Sequence, residues 1–395
     1  MILLHELTKT LYLRFKVKVQ NLEILAKRTD NWIEPHNMTE KARIKDIAER
    51  AGVSVGTVDR VLHNRPSVSP AARQKVEQAL EEMQYQPNIY ASALASNKPY
   101  TFIMILPEHV KTAYWEEIEE GANKAISDRQ DFKVELKIRY FNRYDRRSFL
   151  AVTKKTVEEM PDGVILVPSD LASTRNYTKK LHELSIPFVM LDSYMPDLQP
   201  LAFFGQDSFN SGYFAAKIMM MIANSYPKNK RRRVMILRPL LNGEVASKQQ
   251  ANREEGFRHY MIDHYPEVEI INLDLKESTP TYAETMFAQF LQECPDVKMC
   301  ITFSSAAYIM GEYLTNVNKR NIQVIGYDMT PRNEACLRNG SIDFLIAQHG
   351  YRQGYYCVKA LVDAIVLKKS VKPVNYMPLE LICKENADFY QRYEL

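Results

Sequence analysis

Cysteine is scarce in this sequence and is confined to its last third. The five residues are Cys294, Cys300, Cys336, Cys357 and Cys383, and none forms a CxxC pair. An odd and scattered set of this kind excludes a disulfide framework and a cysteine-ligated zinc site. It is typical of a protein that works in a reducing compartment.

Long hydrophobic runs are also missing. No uninterrupted apolar stretch approaches the roughly 20 residues that a membrane span needs. The start, MILLHELTKTLYLRFKVKV, has neither an apolar core of signal-peptide length nor a small-residue cleavage site. The sequence therefore predicts a cytoplasmic protein without a membrane partner.

There is little excess charge of either sign. The 52 Lys and Arg residues against 48 Asp and Glu residues give a net charge of +4. This excess is too small for nucleic-acid binding over the whole surface, so such a role requires a local patch. Because 395 residues exceed what one small core needs, we expect two or three domains.

The common catalytic motifs are absent as well. The sequence has no GxGxxG after its first β-rich run, no GxxxxGK[ST] and no GxSxG, and its eight histidines show no HExxH spacing. We therefore predict no catalytic residues, no cofactor and no metal. An enzyme assembled from residues distant in sequence stays a minor alternative.

What is present near the N-terminus is a pair of short helical stripes separated by a glycine. The first stripe consists of Ile44, Ile47, Ala48 and Ala51, and the second of Val55, Val58, Val61 and Leu62. Gly52 is placed to end the first helix in a left-handed conformation, and Ser54 is a natural N-cap for the second. A third helix is predicted over SPAARQKVEQALEEMQY, with Ser69 as its N-cap. The pattern predicts an all-α helix-turn-helix domain.

The outer face of the second helix carries the functional information. Thr57, Arg60 and the helix N-terminus are predicted to be exposed together, which suits a phosphate contact, a bidentate donor for a base edge and a positive dipole end. A generic corner of two helices remains the structural alternative.

The stretch DIAERAGVSVGTVDRVLHNRPSVSPAARQKVEQALEEMQYQPN resembles the N-terminal domain of the lactose-repressor (LacI/GalR) family of bacterial transcription regulators. The resemblance runs for about forty residues without a gap, including AGVS, RVL and the closing YxPN. The family motif begins close to the initiator methionine. We therefore expect translation to start at Met38, and residues 1–37 to be an extension of uncertain status.

The resemblance implies a set of DNA contacts. It places Val55, Gly56 and Arg60 where the family reads bases in the major groove, and Ser54, Thr57 and Ser69 near phosphates. Asp59 departs from the usual serine, so the half-site preference cannot be carried over from relatives.

The segment PNIYASALASNK follows the third helix and is either a flexible linker or a hinge helix. The resemblance implies a hinge helix in which Asn88, Ala91 and Leu94 match the family pattern, with Leu94 as a minor-groove wedge. Ser92 replaces the usual arginine. Residues 38–98 hold nine basic and seven acidic side chains, so we expect a homodimer to be needed for affinity on a pseudo-palindromic double-stranded operator.

From Tyr100 onward, short β-rich runs alternate with amphipathic helices. The predicted strands are TFIMIL, KVELKIRYF, DGVILV, PFVMLD, RRVMILR, VEIINLD, VKMCITF and IQVIGYD. Such alternation predicts parallel sheets with helices on both faces, arranged in two α/β lobes. The region resembles the type I periplasmic-binding-protein module that forms the sensor of the same family.

The module binds a small molecule between its lobes, and the matching positions are Asp192, Arg253, Asp328 and Gln348. These side chains suit a polyol, so we expect a carbohydrate effector. The two aspartates could instead cap turns, and Arg253 could lie on the surface of its helix. The family's Asn-Asp pair is Ser304-Ser305 here, so part of the usual hydroxyl-binding set is missing or replaced, and the expected effector is an unusual sugar, a sugar acid or a modified sugar.

Two aromatic residues complete the predicted effector site. Tyr114 and Trp115 are placed by the sequence in the loop after the first strand, where a ring could stack on a sugar. Their alternative role is to pack the first helix onto the sheet.

The complete prediction is a helix-turn-helix domain over 38–86, a hinge over 87–99 and a two-lobed ligand-binding and dimerisation domain over 100–395. The predicted function is effector-controlled transcription regulation, most simply repression. A ligand-binding protein with a degenerate DNA-binding domain is the alternative.

Overall fold

The structure is a computed structural model of the chain. It describes residues 42–62, 64–85, 89–95, 98–111, 114–223, 232–241, 243–245, 247–277, 279–318, 321–390 and 395. The chain separates into two compact units, Met1–Asn88 and Ile89–Leu395. The four domain boundaries expected from the sequence stay a prediction, and the expected start at Met38 lies outside the described residues.

The described residues of the first unit form three helices in the predicted order. They are α1 (Ile44–Ala51), α2 (Val55–Leu62) and α3 (Pro70–Glu82). Gly52 ends α1 at φ 64°, a left-handed conformation that a side chain would make costly. Ser54 Oγ accepts a hydrogen bond from the Thr57 backbone N–H at 3.2 Å, and Ser69 Oγ accepts one from Ala72 at 3.3 Å. Both predicted caps are therefore in place.

A small apolar core holds these helices together. Its buried members are Ile47, Ala48, Ala51, Val58, Val61, Val76 and Ala79. The prediction that Val55 belongs to the inward stripe of α2 is wrong, because this side chain is 49% exposed. Val55 is the first residue of α2. At this end of the helix, the side chain does not reach the apolar core formed by α1 and α3.

The second unit begins with α4 (Ile89–Ala95) and continues into two α/β lobes. Lobe 1 is built on a parallel six-stranded sheet in the order β12-β5-β4-β3-β1-β2. Its strands are β1 (Tyr100–Pro107), β2 (Val134–Phe141), β3 (Gly163–Leu166), β4 (Phe188–Leu191), β5 (Ala202–Gly205) and β12 (Val374–Tyr376). Helices α5 (Tyr114–Ser127) and α13 (Gly350–Leu361) cover one face, and α6 (Arg146–Glu158) and α7 (Leu171–Glu183) cover the other.

Lobe 2 repeats this plan with a second sheet in the order β13-β11-β10-β9-β6-β8, and the short β7 pairs with the end of β6. Its strands are β6 (Arg233–Leu241), β7 (Glu244–Val245), β8 (Glu269–Leu275), β9 (Met299–Ile301), β10 (Gln323–Tyr327), β11 (Phe344–Ala347) and β13 (Glu380–Ile382). Helices α8 (Ser208–Ala223) and α9 (Lys248–His264) pack on one face. Helices α10 (Pro280–Glu293), α11 (Ala307–Asn316) and α12 (Pro331–Asn339) pack on the other.

The predicted two-lobed fold with parallel sheets is confirmed, and each of the eight predicted strands is present. Five further strands, β5, β7, β11, β12 and β13, were not predicted. They are two to four residues long and lie outside the eight β-rich runs from which strands were predicted. Two of the pairings, β6 with β7 and β11 with β13, are antiparallel.

The chain passes between the lobes after β5, after β11 and after β12. Gln206 lies on the first passage and is 2% exposed. Its Nε2 donates to the carbonyl oxygen of Ala347 at 2.6 Å and to that of Pro378 at 2.9 Å. One side chain therefore joins all three connections, and this set forms the hinge of the sensor.

None of the helices in the described residues is long and apolar enough to cross a membrane.

We predict that lobe 2 depends on the buried ring of Phe287, which is 0% exposed between α10 and the sheet. Phe287→Ala should lower the free energy of unfolding by about 3–5 kcal/mol, because a large cavity is left in a packed core. Phe389→Ala is the matched control in the same lobe, since its ring is 79% exposed. Urea denaturation followed by circular dichroism measures both, and equal effects of the two substitutions would contradict the packing described.

Candidate functional site

A cluster of buried polar side chains lies where the two lobes meet. Asp192 follows β4 of lobe 1, whereas Asp328 and Gln348 follow β10 and β11 of lobe 2. Arg253 lies on α9 and is 1% exposed, and the other three side chains are 4–6% exposed. The carboxyl ends of parallel strands are the usual ligand position in open α/β sheets. The four predicted effector residues are therefore brought together.

Arg253 is fixed within lobe 2 by several polar contacts. Its guanidinium donates to the Phe303 carbonyl oxygen at 3.0 Å and to Gln348 Oε1, and it lies 4.0 Å above the centre of the Tyr327 ring. Gln348 in turn donates from Nε2 to both carboxylate oxygens of Asp328, at 2.8 and 3.0 Å. The alternative that Arg253 is a surface residue is wrong.

Gly212 on α8 allows this position of Arg253. A Cβ atom at Gly212 would lie 1.8 Å from the backbone oxygen of Arg253. Because the glycine has no side chain, α8 and α9 approach closely enough for the guanidinium to reach the carboxyl ends of the strands.

The lobe 1 side of the cluster is centred on Asp192. The Tyr114 hydroxyl donates to Asp192 Oδ1 at 3.1 Å, and the Ser193 hydroxyl donates to Oδ2 at 3.1 Å. The hydrogen bonds of the Asp192 and Asp328 carboxylates come from side chains. In the described residues, the two carboxylates therefore bind other side chains and do not cap a turn.

Gln249 connects the two lobes and was missed by the sequence analysis. From α9 of lobe 2, its Nε2 lies 3.0 Å from Gln348 Oε1 and 3.4 Å from the backbone oxygen of Asp192 in lobe 1. Its spacing of four residues from Arg253 on one helix was a usable signal, because residues i and i+4 share a helix face.

Burial determines the protonation of the cluster. It raises the pKa of Asp328 from 3.8 to about 6, although Arg253 opposes this shift. Burial also raises the pKa of Asp192, with Arg253 and Arg143 acting in the opposite direction. The pKa of Tyr114 is raised well above its ordinary value by burial and by the two aspartates. Tyr114 therefore stays a hydrogen-bond donor.

Tyr114 and Trp115 do not lie in a loop, and that prediction is corrected. Both belong to the first turn of α5, because the helix begins sooner after β1 than the sequence suggested. The Tyr114 hydroxyl reaches the polar cluster, whereas the half-buried Trp115 ring packs against the lobe 1 core and against Tyr114, 5.0 Å between ring centres.

A cleft of about 550 Å³ opens beside Asp192. It lies at the carboxyl ends of β2, β3 and β4. Lobe 1 contributes most of its walls, including Phe141, Arg143 and Ser169, and lobe 2 contributes Ser247 and Lys248. This volume is sufficient for a monosaccharide or a similar small molecule.

The exposed face of α2 is the candidate nucleic-acid interface. Ser54, Val55, Gly56 and Arg60 are exposed, and Thr57 is half-buried. Asp59 lies 3.4 Å from the Arg65 guanidinium. This ion pair reduces the repulsion that a carboxylate would exert on a phosphate.

The predicted hinge segment contains α4. Leu94 is 51% exposed and Ala91 is exposed, whereas Ala93 packs against the lobe 1 core. Tyr90 accepts a hydrogen bond from Lys369 Nζ at 2.6 Å. Asn88 lies outside the described residues. A helical turn is therefore present at this place, and its leucine is accessible.

Comparison with known proteins identifies both parts of the chain. Residues 102–369 match the periplasmic binding protein domain, and residues 43–88 match the bacterial regulatory proteins of the lacI family. The fold and its cleft define a sensor of the periplasmic-binding-protein class that follows a helix-turn-helix domain. The chain belongs to the LacI family of bacterial regulatory proteins, which are transcription regulators and not enzymes.

Individual relatives agree with this assignment. The ribose operon repressor of Halalkalibacterium halodurans is 31% identical over 357 residues, which cover 87% of this chain and 96% of the relative. The regulator RegA of Clostridium acetobutylicum is 32% identical over 152 residues, and the match spans 43% of its length. A Bacteroides fragilis structure assigned to the LacI transcriptional regulators has a TM-score of 0.71 and 41% identity over 74% of this chain and all of its own. The glucose-galactose binding protein GanP of Geobacillus stearothermophilus, at 22% identity and a TM-score of 0.62 over 74% of this chain and 99% of its own, shares the fold.

We predict a pH dependence that originates in Asp328. Its pKa is about 6 in the folded state against an ordinary 3.8, so the folded protein holds more protons between about pH 4 and 6 than the unfolded chain. The contribution of Asp328 to the free energy of unfolding therefore falls by at most about 3 kcal/mol as the pH rises through that window. Asp328→Asn should remove this contribution. The free energy of unfolding, measured by urea denaturation at several pH values, should then fall less between about pH 4 and 6 than in the wild type.

Asp388→Asn is the control for this experiment, because it removes a carboxylate that is 77% exposed in the same lobe. An Asp328→Asn variant with the wild-type pH slope would show that the burial of Asp328 does not have the expected effect.

Proposed function

We propose that this protein is a cytoplasmic homodimeric regulator that binds a pseudo-palindromic operator and is controlled by a carbohydrate in the interlobe cleft. The observation that carries the proposal is the buried cluster of Asp192, Arg253, Asp328 and Gln348 beside a cleft, in a chain that also contains a helix-turn-helix domain. No specific observation favours an enzyme.

The chemistry of the cluster supports a polyol. Carboxylates accept hydrogen bonds from hydroxyl groups, and an arginine donates in a fixed planar fork. Gln348 accepts a hydrogen bond from Arg253 and donates to Asp328, and these bonds hold the three side chains in place before the ligand arrives. A preorganised site loses less conformational entropy when it binds.

Coupling between ligand and DNA requires that the ligand bind two conformations of the regulator unequally. Asp192 and Tyr114 belong to lobe 1, and Arg253 and Asp328 belong to lobe 2, so a ligand that contacts both sets favours one arrangement of the lobes. A change at the Gln206 hinge would move lobe 1, on which Ala93 of α4 packs. Such couplings are typically about 1–3 kcal/mol.

We assign base reading to Arg60, Val55 and Gly56, phosphate contacts to Ser54, Thr57 and Ser69, and the minor-groove contact to Leu94 with Ala91 and Asn88. Val55 and Gly56 offer few hydrogen-bonding groups, so Arg60 carries most of the direct readout. Two copies of the domain supply the affinity that the small basic excess of one copy does not.

The DNA assignment predicts that Arg60→Ala loses sequence recognition. Operator sites are first selected from a random duplex library with the full chain at fixed salt, because phosphate contacts make affinity salt-dependent. Arg60→Ala should then weaken binding to the selected site by about 1–3 kcal/mol, roughly fivefold to 150-fold. Its binding to unrelated DNA should change little.

Lys75→Ala is the matched control, since it removes one exposed basic side chain on α3. Any effect of this substitution should be equal on selected and unrelated duplexes. If no inverted repeat is enriched by the folded dimer, with or without sugar, the DNA-binding domain is degenerate and the proposal fails.

The effector assignment predicts that Arg253→Lys lowers sugar affinity by tenfold or more, because the charge is kept and the planar fork is lost. Isothermal titration calorimetry with D-ribose, D-arabinose, D-glucose and D-galactose, and their acidic derivatives, measures this. Arg258→Lys on the same helix is the control, since Arg258 pairs with Glu254 and Asn272 away from the cluster. Equal losses in the two variants would contradict the assignment of Arg253.

A further inference from the structure

The interlobe cleft has an unusual charge distribution for a site that binds a neutral sugar. Its lining includes three basic residues, Arg143, Arg146 and Lys248, and two acidic residues, Asp170 and Asp192. Asp192 lies buried at the inner end, next to the polar cluster. The basic side chains line the more exposed part of the cleft.

Only one of the three basic residues is paired with a carboxylate. Arg146 lies 3.7 Å from Asp170 and donates to the Ser173 hydroxyl at 2.8 Å. Within the part of the chain that the structure describes, neither Arg143 nor Lys248 lies within ion-pair distance of an acidic side chain. Arg143 acts on the Asp192 carboxylate over a distance longer than an ion pair, so the three basic residues of the lining are balanced by only two carboxylates.

Arg143 is held by an aromatic contact, and Lys248 lies exposed at a helix N-terminus. The Arg143 guanidinium lies over the Trp115 ring, 5.2 Å from its centre, and the residue is half-buried. Lys248 is the first residue of α9, and the first turn of this helix has no acidic residue. The helix dipole therefore adds positive potential at Lys248.

The two side chains come from different lobes. Arg143 follows β2 of lobe 1, and Lys248 begins the helix of lobe 2 that also carries Gln249 and Arg253. An anionic group between them would contact both lobes at once. Asp192, whose carboxylate suits hydroxyl groups, lines the same cleft.

We propose that the effector is an acidic sugar, whose carboxylate or phosphate binds between Arg143 and Lys248 while its hydroxyl groups contact Asp192 and the Arg253 cluster. This inference rests on the proposed function, because it concerns the same cleft. Arginine binds either anion with its planar fork, and lysine acts as a point charge.

The arrangement also gives the ligand a means of control. The anion is attracted to both lobes, so it stabilises the arrangement in which Arg143 and Lys248 are close. A neutral sugar lacks this interaction and distinguishes the two lobe arrangements less strongly. The acidic group therefore contributes to the unequal binding that regulation requires.

The test compares matched ligands on the full chain by isothermal titration calorimetry at constant ionic strength. The ligands are D-galactose, D-galacturonate and D-galactose 6-phosphate, and the corresponding glucose set. The acid or the phosphate should bind at least tenfold more tightly than its neutral parent. Comparison of the uronate with the 6-phosphate distinguishes the two anions.

Variants distinguish the anion site from the hydroxyl site. Arg143→Gln combined with Lys248→Gln should remove the tenfold preference for the acidic sugar, so that the acid and its neutral parent bind with similar affinity. Arg147→Gln is the control, because Arg147 is an exposed arginine in the first turn of α6, four residues after Arg143, and does not line the cleft. Arg253→Lys should weaken all ligands of a set.

The outcomes separate the two proposals. Neutral sugars that bind as tightly as their acids would overturn the anionic effector and leave the carbohydrate sensor intact. An acid preference that persists in the Arg143→Gln, Lys248→Gln variant would overturn the assigned site. If no sugar of either set binds, the carbohydrate effector and its acidic group both fail, and the DNA-binding assignment is tested separately through Arg60.

Discussion

The burial of the Arg253 guanidinium is the constraint on which the sensor depends. A charge that is 1% exposed would cost several kcal/mol if it were left without partners. The Phe303 carbonyl, Gln348 and the face of Tyr327 supply those partners. The carboxylates of Asp192 and Asp328 balance the charge over a longer range. Each of these groups lies at the carboxyl end of a strand, so the requirements of one side chain determine the shape of the site.

The same cluster explains how two lobes can act as one sensor. Gln249 reaches from lobe 2 to the backbone of Asp192, and Gln206 joins the three connections that form the hinge. These interlobe contacts of Gln249 and Gln206 are polar, whereas each lobe has its own apolar cores. A relative motion of the lobes would therefore break these hydrogen bonds and leave the apolar cores intact. A ligand that replaces those hydrogen bonds can select between the arrangements.

Local patterns predicted much of this molecule. The three N-terminal helices and their caps follow from helical periodicity, a glycine and two serines, and eight strands follow from β-rich runs. The short strands β5, β11, β12 and β13 escaped prediction, because their stability comes from neighbouring strands and not from their own residues. The placement of Tyr114 and Trp115 failed for a similar reason, since the start of α5 is fixed by packing on the sheet.

The sequence by itself determined the order of helices and strands, the fold class, the helix-turn-helix domain and the family, because these depend on periodicity and on contiguous motifs. The tertiary structure decided which residues meet. It alone placed Gln249 beside Gln348, buried Arg253 against Tyr327 and brought Arg143 and Lys248 to one cleft. The members of each pair are separated by 74 to 105 positions, and their contacts depend on how the strands are ordered in the sheets. A local sequence pattern does not determine the order of strands in a sheet.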